Sequence, residues 1–168
     1  MKKRIILLGI ILIVLIFSRC NQTDSYEKVI NNYVSATFNG NAKEMLSLIH
    51  DDYVDVFLKY GAYQNKSEMI KEMQYNLDTT MERMNNKYGK GWDYEYYITD
   101  AYIYSQSDID FVVNYIGYEF AEVYYRADEV MEVVIDVIRF GDKGTDSSTV
   151  SIILMKIDGR WYTTMETY

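Results

Sequence analysis

The chain has 168 residues and a formal net charge of −8, with 25 acidic residues against 17 Lys and Arg, one cysteine and one histidine. This acidic balance excludes nucleic acid as a partner, because nucleic-acid-binding proteins need clustered Lys and Arg to replace the counterions on phosphate. The single cysteine excludes an intrachain disulfide, so the stability of the protein has to come from a packed hydrophobic core.

The first element in chain order is an N-terminal export signal. Lys2, Lys3 and Arg4 precede an unbroken apolar run from Ile5 to Phe17, which is the order of a secretory signal. As a helix this run would be about 20 Å long at about 1.5 Å per residue, against about 30 Å of bilayer hydrocarbon. Its length therefore favours a signal peptide over a membrane span.

The end of this run, Leu-Ile-Phe-Ser-Arg-Cys at residues 15–20, resembles the lipobox of bacterial lipoproteins. In that family the cysteine is lipidated and the signal peptide is cut off just before it, which implies that Cys20 is the lipid attachment site. Ser18 fits the lipobox, whereas Phe17 and Arg19 stand where Leu and Gly or Ala are usual. An uncleaved signal anchor and free secretion therefore stay open as alternatives.

The lipoprotein resemblance divides the chain. It implies a signal peptide at residues 1–19, followed by a lipidated cysteine and a short polar tether at residues 20–25. No composition shift or repeat interrupts residues 26–168, which indicates one domain. A diacylglyceryl group would supply the two acyl chains that stable anchoring needs. The expected location is the extracytoplasmic face of the cell membrane, with the lipid anchor as the membrane attachment.

The first half of the predicted domain has the periodicity of amphipathic helices. Apolar residues recur at steps of three and four in four stretches: residues 26–38, 42–49, 53–60 and 67–88. The last stretch is rich in methionine, which fills irregular spaces in hydrophobic cores and also occurs in promiscuous binding grooves. We interpret these methionines as core residues.

The second half changes to the alternation that is typical of β-strands. Five aromatic residues share one parity of a long strand, and we expect them on one face: Trp92, Tyr94, Tyr96, Tyr102 and Tyr104. Residues 107–120 are predicted as a helix and residues 130–140 as a strand with two apolar faces. The Gly- and Ser-containing segment 141–147 is predicted as a loop.

The last two strands are predicted to form a hairpin, because Asp158-Gly159 suits a two-residue type I′ turn. This turn pairs Ile157 with Arg160 and, further along, Ile152 with Met165. Both faces of the resulting hairpin are apolar, so the sheet needs cover on both sides.

Helices, a long strand, a further helix and a sheet ending in the hairpin of residues 156–162, Lys-Ile-Asp-Gly-Arg-Trp-Tyr, resemble the nuclear transport factor 2-like superfamily. The resemblance implies a cone-shaped, cystatin-like α+β fold, with N-terminal helices packed on a curved, mainly antiparallel sheet. Members of that superfamily are small-molecule isomerases and dehydratases, binding modules or dimerisation domains. The fold alone does not choose among these functions.

Candidate chemistry is sparse. His50 lies at the predicted end of the second helix beside Asp51 and Asp52, and we interpret it as a surface residue at a helix C-terminus, with a His-Asp dyad as the alternative. One histidine and a lipidated cysteine cannot form a zinc site, and the nearby aspartates lack the order of a calcium loop. Motifs of covalent hydrolytic catalysis are missing. We therefore expect no enzyme, no cofactor and no metal.

Tyrosine is the unusual component, with 18 residues, and suits both strand packing and binding surfaces. If the domain has a ligand-facing set, the shared strand parity selects the five aromatic residues from Trp92 to Tyr104. The leading hypothesis is a membrane-anchored lipoprotein whose non-catalytic domain binds a small molecule, a wall polymer or a protein. A protein-interaction module, including a homodimer, is the alternative, and an isomerase- or dehydratase-like enzyme is the third hypothesis.

Overall fold

The structure is a computed structural model that describes residues 25–167. The predicted signal peptide and Cys20 lie outside the described residues. A single 3₁₀ turn at Tyr118–Phe120 joins two of the helices. The other elements, in chain order, are α1 (Tyr26–Phe38), α2 (Ala42–Ser47), α3 (Asp51–Lys59), α4 (Lys66–Tyr88), β1 (Asp93–Ile103), α5 (Gln106–Ile116), α6 (Ala121–Arg126), β2 (Glu129–Gly141), β3 (Gly144–Ile157) and β4 (Arg160–Thr167).

The four strands form one curved sheet in the order β1-β2-β3-β4, and every neighbouring pair is antiparallel. Strands β1 and β4 are therefore the edges of the sheet. The predicted fold class, α+β with N-terminal helices and a curved, mainly antiparallel sheet, is confirmed.

The sheet is covered on both faces, as the apolar pattern of its strands predicts. On the first face, here called the α1 face, Val133 of β2 and Leu154 of β3 pack with Ile30 of α1. On the opposite face, Met155 of β3 packs in a second core with residues of helices α2 to α6. The buried Met69 and Met73 of α4 belong to this second core, so their interpretation as core residues is confirmed. Met81 and Met84 are half-buried and belong to neither core, so the same interpretation does not extend to them.

The hairpin between β3 and β4 has the predicted turn. Asp158 and Gly159 both have positive φ, at 51° and 74°, as a type I′ turn requires. Ile157 pairs with Arg160 as predicted.

The pairing predicted further along this hairpin, Ile152 with Met165, is wrong. The register shifts just beyond Leu154, so Ile152 pairs with Thr167. The register changes by two residues, so the stretch of β4 between Thr163 and Thr167 is irregular and does not keep strict alternation with β3. Met165 lies within this stretch and packs against the core of the opposite face.

The loop predicted at residues 141–147 is also wrong, because the turn between β2 and β3 consists of two residues only. Gly141 pairs with Gly144, and Asp142 and Lys143 form the turn. The backbone N–H of Lys143 donates to the carbonyl oxygen of Tyr88 at 3.0 Å. The end of α4 therefore fixes a tight turn where composition alone indicated a loop.

The helix predicted at residues 107–120 is interrupted. Helix α5 ends at Ile116, and Gly117 has a φ of 125°, a backbone conformation that favours glycine. The chain then continues through the 3₁₀ turn, whose Phe120 is buried, into the short helix α6. Sequence periodicity did not separate these elements.

Candidate functional site

A β-bulge in β1 divides the five aromatic residues that were predicted to share one face. The register with β2 shifts between Ile98 and Asp100, which leaves Thr99 as an extra residue. Tyr96 lies opposite Val137 on the α1 face. Beyond the bulge the alternation is reversed, because an inserted residue turns the following side chains to the other face. The prediction that these residues share one face is therefore wrong.

Trp92, Tyr94 and Tyr96 pack against α1. The ring of Phe38 stacks on Tyr94 with centroids 4.3 Å apart and meets Trp92 edge-on at 5.8 Å. The hydroxyl of Tyr96 donates to Oδ1 of Asn31 at 3.1 Å. These contacts hold the first half of β1 on the N-terminal helix.

Tyr102 and Tyr104 lie on the opposite face and line a groove of about 440 Å³ between the sheet and α5. We call it the β1–α5 groove. Its walls combine aromatic rings with carboxyl groups, from the seven residues Tyr102, Tyr104, Asp108, Phe111, Val112, Tyr115 and Glu132.

Several aromatic side chains of the groove are open to solvent. Phe111 is 71% exposed, Tyr115 69% and Tyr102 52%. Sequence reasoning missed both α5 residues, although Phe111 and Tyr115 are four positions apart in a predicted helix and so share a face. Both fall outside the apolar stripe of the helix, to which the buried Val112 and Val113 belong. This difference in position could have identified them as exposed aromatic residues.

The groove is positioned by the junction between β1 and α5. Ser105 and Asp108 form a capping box at the start of the helix, which satisfies backbone N–H groups that have no partner within the helix. The same Asp108 oxygen, Oδ2, accepts hydrogen bonds from the backbone N–H of Ser105 at 2.8 Å and from the hydroxyl of Tyr102 at 3.0 Å. One carboxylate therefore ties the strand end to the helix start.

Hydrogen bonds set the charge state of this junction. Those from the side chain and backbone of Ser105, with the Tyr102 bond, lower the pKa of Asp108. The same bond to Asp108 raises the pKa of Tyr102. Asp108 is therefore an anion and Tyr102 a neutral phenol at neutral pH.

A second phenol and carboxylate pair lies across the groove. The hydroxyl of Tyr104 donates to Oε2 of Glu132 at 3.2 Å in a partly buried position. Among the described residues that line the groove, none is Lys, Arg or His. The groove thus combines aromatic rings with two carboxyl groups and lacks a compensating cation on its walls.

His50 takes a different position from the predicted one. Its Nδ1 accepts a hydrogen bond from the backbone N–H of Asp52 at 3.2 Å, which makes it the N-cap of α3. Its ring meets that of Tyr162 edge-on at 4.8 Å. The interpretation as a surface residue at a helix C-terminus is wrong, because the second helix ends earlier and a new helix begins at Asp51.

The alternative of a His-Asp dyad has little geometric support. Oδ2 of Asp52 is 3.8 Å from Nδ1 of His50 and also forms an ion pair with Arg126. His50 does not line the β1–α5 groove. Its observed contacts stabilise the start of α3.

Two further features are absent from the part of the chain that the structure describes. No group of three or more His, Cys, Asp or Glu residues there could hold a metal ion. None of the helices there is long and apolar enough to cross a membrane.

Comparison with family models, curated proteins and solved structures found no match for this chain.

Proposed function

We propose that the protein is a membrane-anchored, extracytoplasmic lipoprotein whose domain binds a small organic molecule in the β1–α5 groove without catalysing a reaction. The observation that carries the proposal is the exposure of Tyr102, Phe111 and Tyr115 around one concave space of about 440 Å³. Clustered exposed apolar side chains mark binding sites, and ligand sites typically have volumes of about 300–1,000 Å³.

The lipobox-like sequence ending at Cys20 supports the location. The order of elements supports the resemblance to the nuclear transport factor 2-like superfamily, which stays a prediction. Both resemblances agree with a domain held near the membrane surface by its N-terminus.

Binding without catalysis is favoured by the hydrogen bonds within the groove. An isomerase-like enzyme would use a carboxylate as a base and a phenol as a proton donor, and the groove contains both residue types. However, Tyr102 donates to Asp108 and Tyr104 to Glu132. Because both of these phenols already donate to carboxylates, neither is positioned to donate a proton to a ligand.

The proposal is tested with para-fluorobenzyl alcohol, a neutral probe whose fluorine NMR signal broadens on binding. The full chain in dodecyl maltoside is compared with the double variant Phe111→Ala, Tyr115→Ala. Both side chains are largely exposed, so we expect the variant to fold. We expect the full chain to broaden the signal beyond the level of empty micelles, and the variant to lose this excess.

The matched control is Tyr75→Ala with Tyr97→Ala, which removes two aromatic side chains that are 70% and 54% exposed and lie outside the groove. This control should broaden the signal as the unaltered chain does. Equal broadening by the groove variant and the control would contradict a binding site in the groove.

A further inference from the structure

We infer that the ligand of the β1–α5 groove is a small, soluble organic cation, a quaternary or protonated amine. This inference rests on the proposed function and adds the ligand class. Charge complementarity is the first argument: among the residues of the described part of the chain that line the groove, Asp108 and Glu132 are the carboxyl groups and none is Lys, Arg or His. A ligand with a positive charge would be attracted, and an anion would be repelled.

The aromatic walls supply the second argument. The rings of Tyr102 and Tyr104 have centroids 5.9 Å apart and an interplanar angle of 57°, so they form two sides of one corner. An ammonium group is attracted to the face of an aromatic ring when it lies within about 6 Å of the centroid. A cation that lies in the corner between the two rings therefore contacts both of them.

The direction of the phenol hydroxyl groups is the third argument. Tyr102 and Tyr104 each donate to a carboxylate oxygen, at 3.0 Å and 3.2 Å. An anionic ligand needs hydrogen-bond donors on the walls, and these two donors are already engaged by carboxylates. A quaternary or protonated amine needs negative charge and ring faces, which the groove provides.

The charge of the whole chain acts in the same direction. A formal net charge of −8 produces a negative potential that raises the local concentration of cations near the surface. Elsewhere in the same molecule, a carboxylate and an aromatic ring together hold a cation. The Lys156 ammonium donates to Oε1 of Glu129 at 2.6 Å and lies 5.4 Å from the ring centroid of Trp161.

The test uses two probes of the same shape that differ in charge: choline, and the alcohol in which carbon replaces its nitrogen, 3,3-dimethylbutan-1-ol. Each is titrated against the full chain in dodecyl maltoside with para-fluorobenzyl alcohol bound. We expect choline to displace the fluorinated probe at a concentration about tenfold lower than the neutral alcohol, since about 1.4 kcal/mol is tenfold in affinity. Raising the NaCl concentration from roughly 20 mM to roughly 500 mM should weaken the binding of choline and leave the binding of the neutral alcohol unchanged.

The variant Glu132→Gln keeps the shape of the side chain and an oxygen that accepts from Tyr104, and removes the charge. It should raise the concentration of choline needed for displacement, relative to that of the neutral alcohol, by about threefold to tenfold. The matched control is Glu95→Gln on β1. Glu95 accepts a hydrogen bond from Tyr97 at 2.9 Å and does not line the groove, so both probes should behave as with the unaltered chain.

The outcomes separate the two proposals. If the fluorinated probe binds but choline and the neutral alcohol displace it equally, the groove is a binding site and the cationic ligand class is wrong. If Glu132→Gln leaves choline unaffected, the assigned role of the carboxylate is wrong. If the fluorinated probe does not bind, the proposed function itself fails.

Discussion

At the scale of single residues, His50 caps the start of α3 and its ring meets Tyr162 edge-on. The sequence shows that His50 is the only histidine, so any mechanism that needs histidine must use it. Its role depended on a helix boundary, and boundaries are the least certain part of a periodicity argument. Because α3 begins at Asp51, the imidazole lies at a helix start and accepts a backbone hydrogen bond.

We predict that His50→Ala lowers the free energy of unfolding by about 1–2 kcal/mol, the usual cost of removing an N-cap acceptor. His50→Asn should lower the free energy of unfolding by less, since asparagine is a preferred N-cap residue, although this variant lacks the ring contact with Tyr162. Urea denaturation of the full chain, followed by tryptophan fluorescence, measures both values.

Binding of para-fluorobenzyl alcohol should be unchanged in either variant, because His50 does not line the groove. An alanine variant as stable as the unaltered chain would contradict the capping role. Loss of probe binding with stability retained would place His50 at the site.

At the scale of elements, hydrophobic periodicity predicted the existence and type of most helices and strands, and the Asp158-Gly159 turn predicted the start of the last hairpin. Register irregularities were not predictable from the pattern. The bulge at Thr99 reverses the face of Tyr102 and Tyr104, and the irregular stretch of β4 beyond Thr163 places Met165 against the core of the opposite face. A bulge is an insertion relative to the partner strand, so it becomes visible only when the partner is known.

These irregularities also explain the candidate site. Strict alternation placed five aromatic residues together, whereas the bulge separates three that pack on α1 from two that line the groove. The remaining lining residues come from α5 and β2, and no local sequence pattern links β2 to β1. The sequence could therefore indicate an aromatic site but not its full membership.

The turn between β2 and β3 offers a matched pair of glycines for a prediction at this scale. A Cβ at Gly141 would collide with the carbonyl oxygen of Tyr88 and lie 3.1 Å from Cβ of Trp92, whereas a Cβ at Gly144 would meet open space. We predict that Gly141→Ala lowers the free energy of unfolding by about 1–3 kcal/mol, because backbone must shift to admit the methyl group.

Gly144→Ala should change the free energy of unfolding by less than about 0.5 kcal/mol, as expected for a surface substitution. Urea denaturation of both full-length variants under identical conditions gives the comparison. Equal stability of the two variants would show that the end of α4 does not approach the turn as closely as described.

At the scale of the whole molecule, charge distribution limits how copies of the chain can associate. Strand β1 is a sheet edge and carries Asp93, Glu95 and Asp100. Pairing β1 with a second copy of itself would bring these like charges close together, which is unfavourable. A homodimer, one form of the protein-interaction module that the sequence leaves as the alternative, would therefore need a surface other than this edge.

The attachment to the membrane is the last prediction, and it depends on Cys20, which lies outside the described residues. We predict that the intact mass of the membrane-extracted protein corresponds to a chain beginning at Cys20 with a diacylglyceryl group added. The physical reason is that the predicted export signal is too short to span the bilayer, at about 20 Å against about 30 Å of hydrocarbon, while two acyl chains give stable anchoring.

The control variant is Cys20→Ser, which removes the thiol that a lipid thioether requires while changing one atom of the side chain. It should accumulate as an unlipidated chain that retains residues 1–19, because cleavage in bacterial lipoproteins follows lipidation. An unmodified wild-type chain starting at Met1 would identify a signal anchor, and a shortened chain without lipid in the medium would identify free secretion. Either result would contradict the lipid anchor. The proposed groove and its proposed preference for cations are tested independently, by the probe titrations alone.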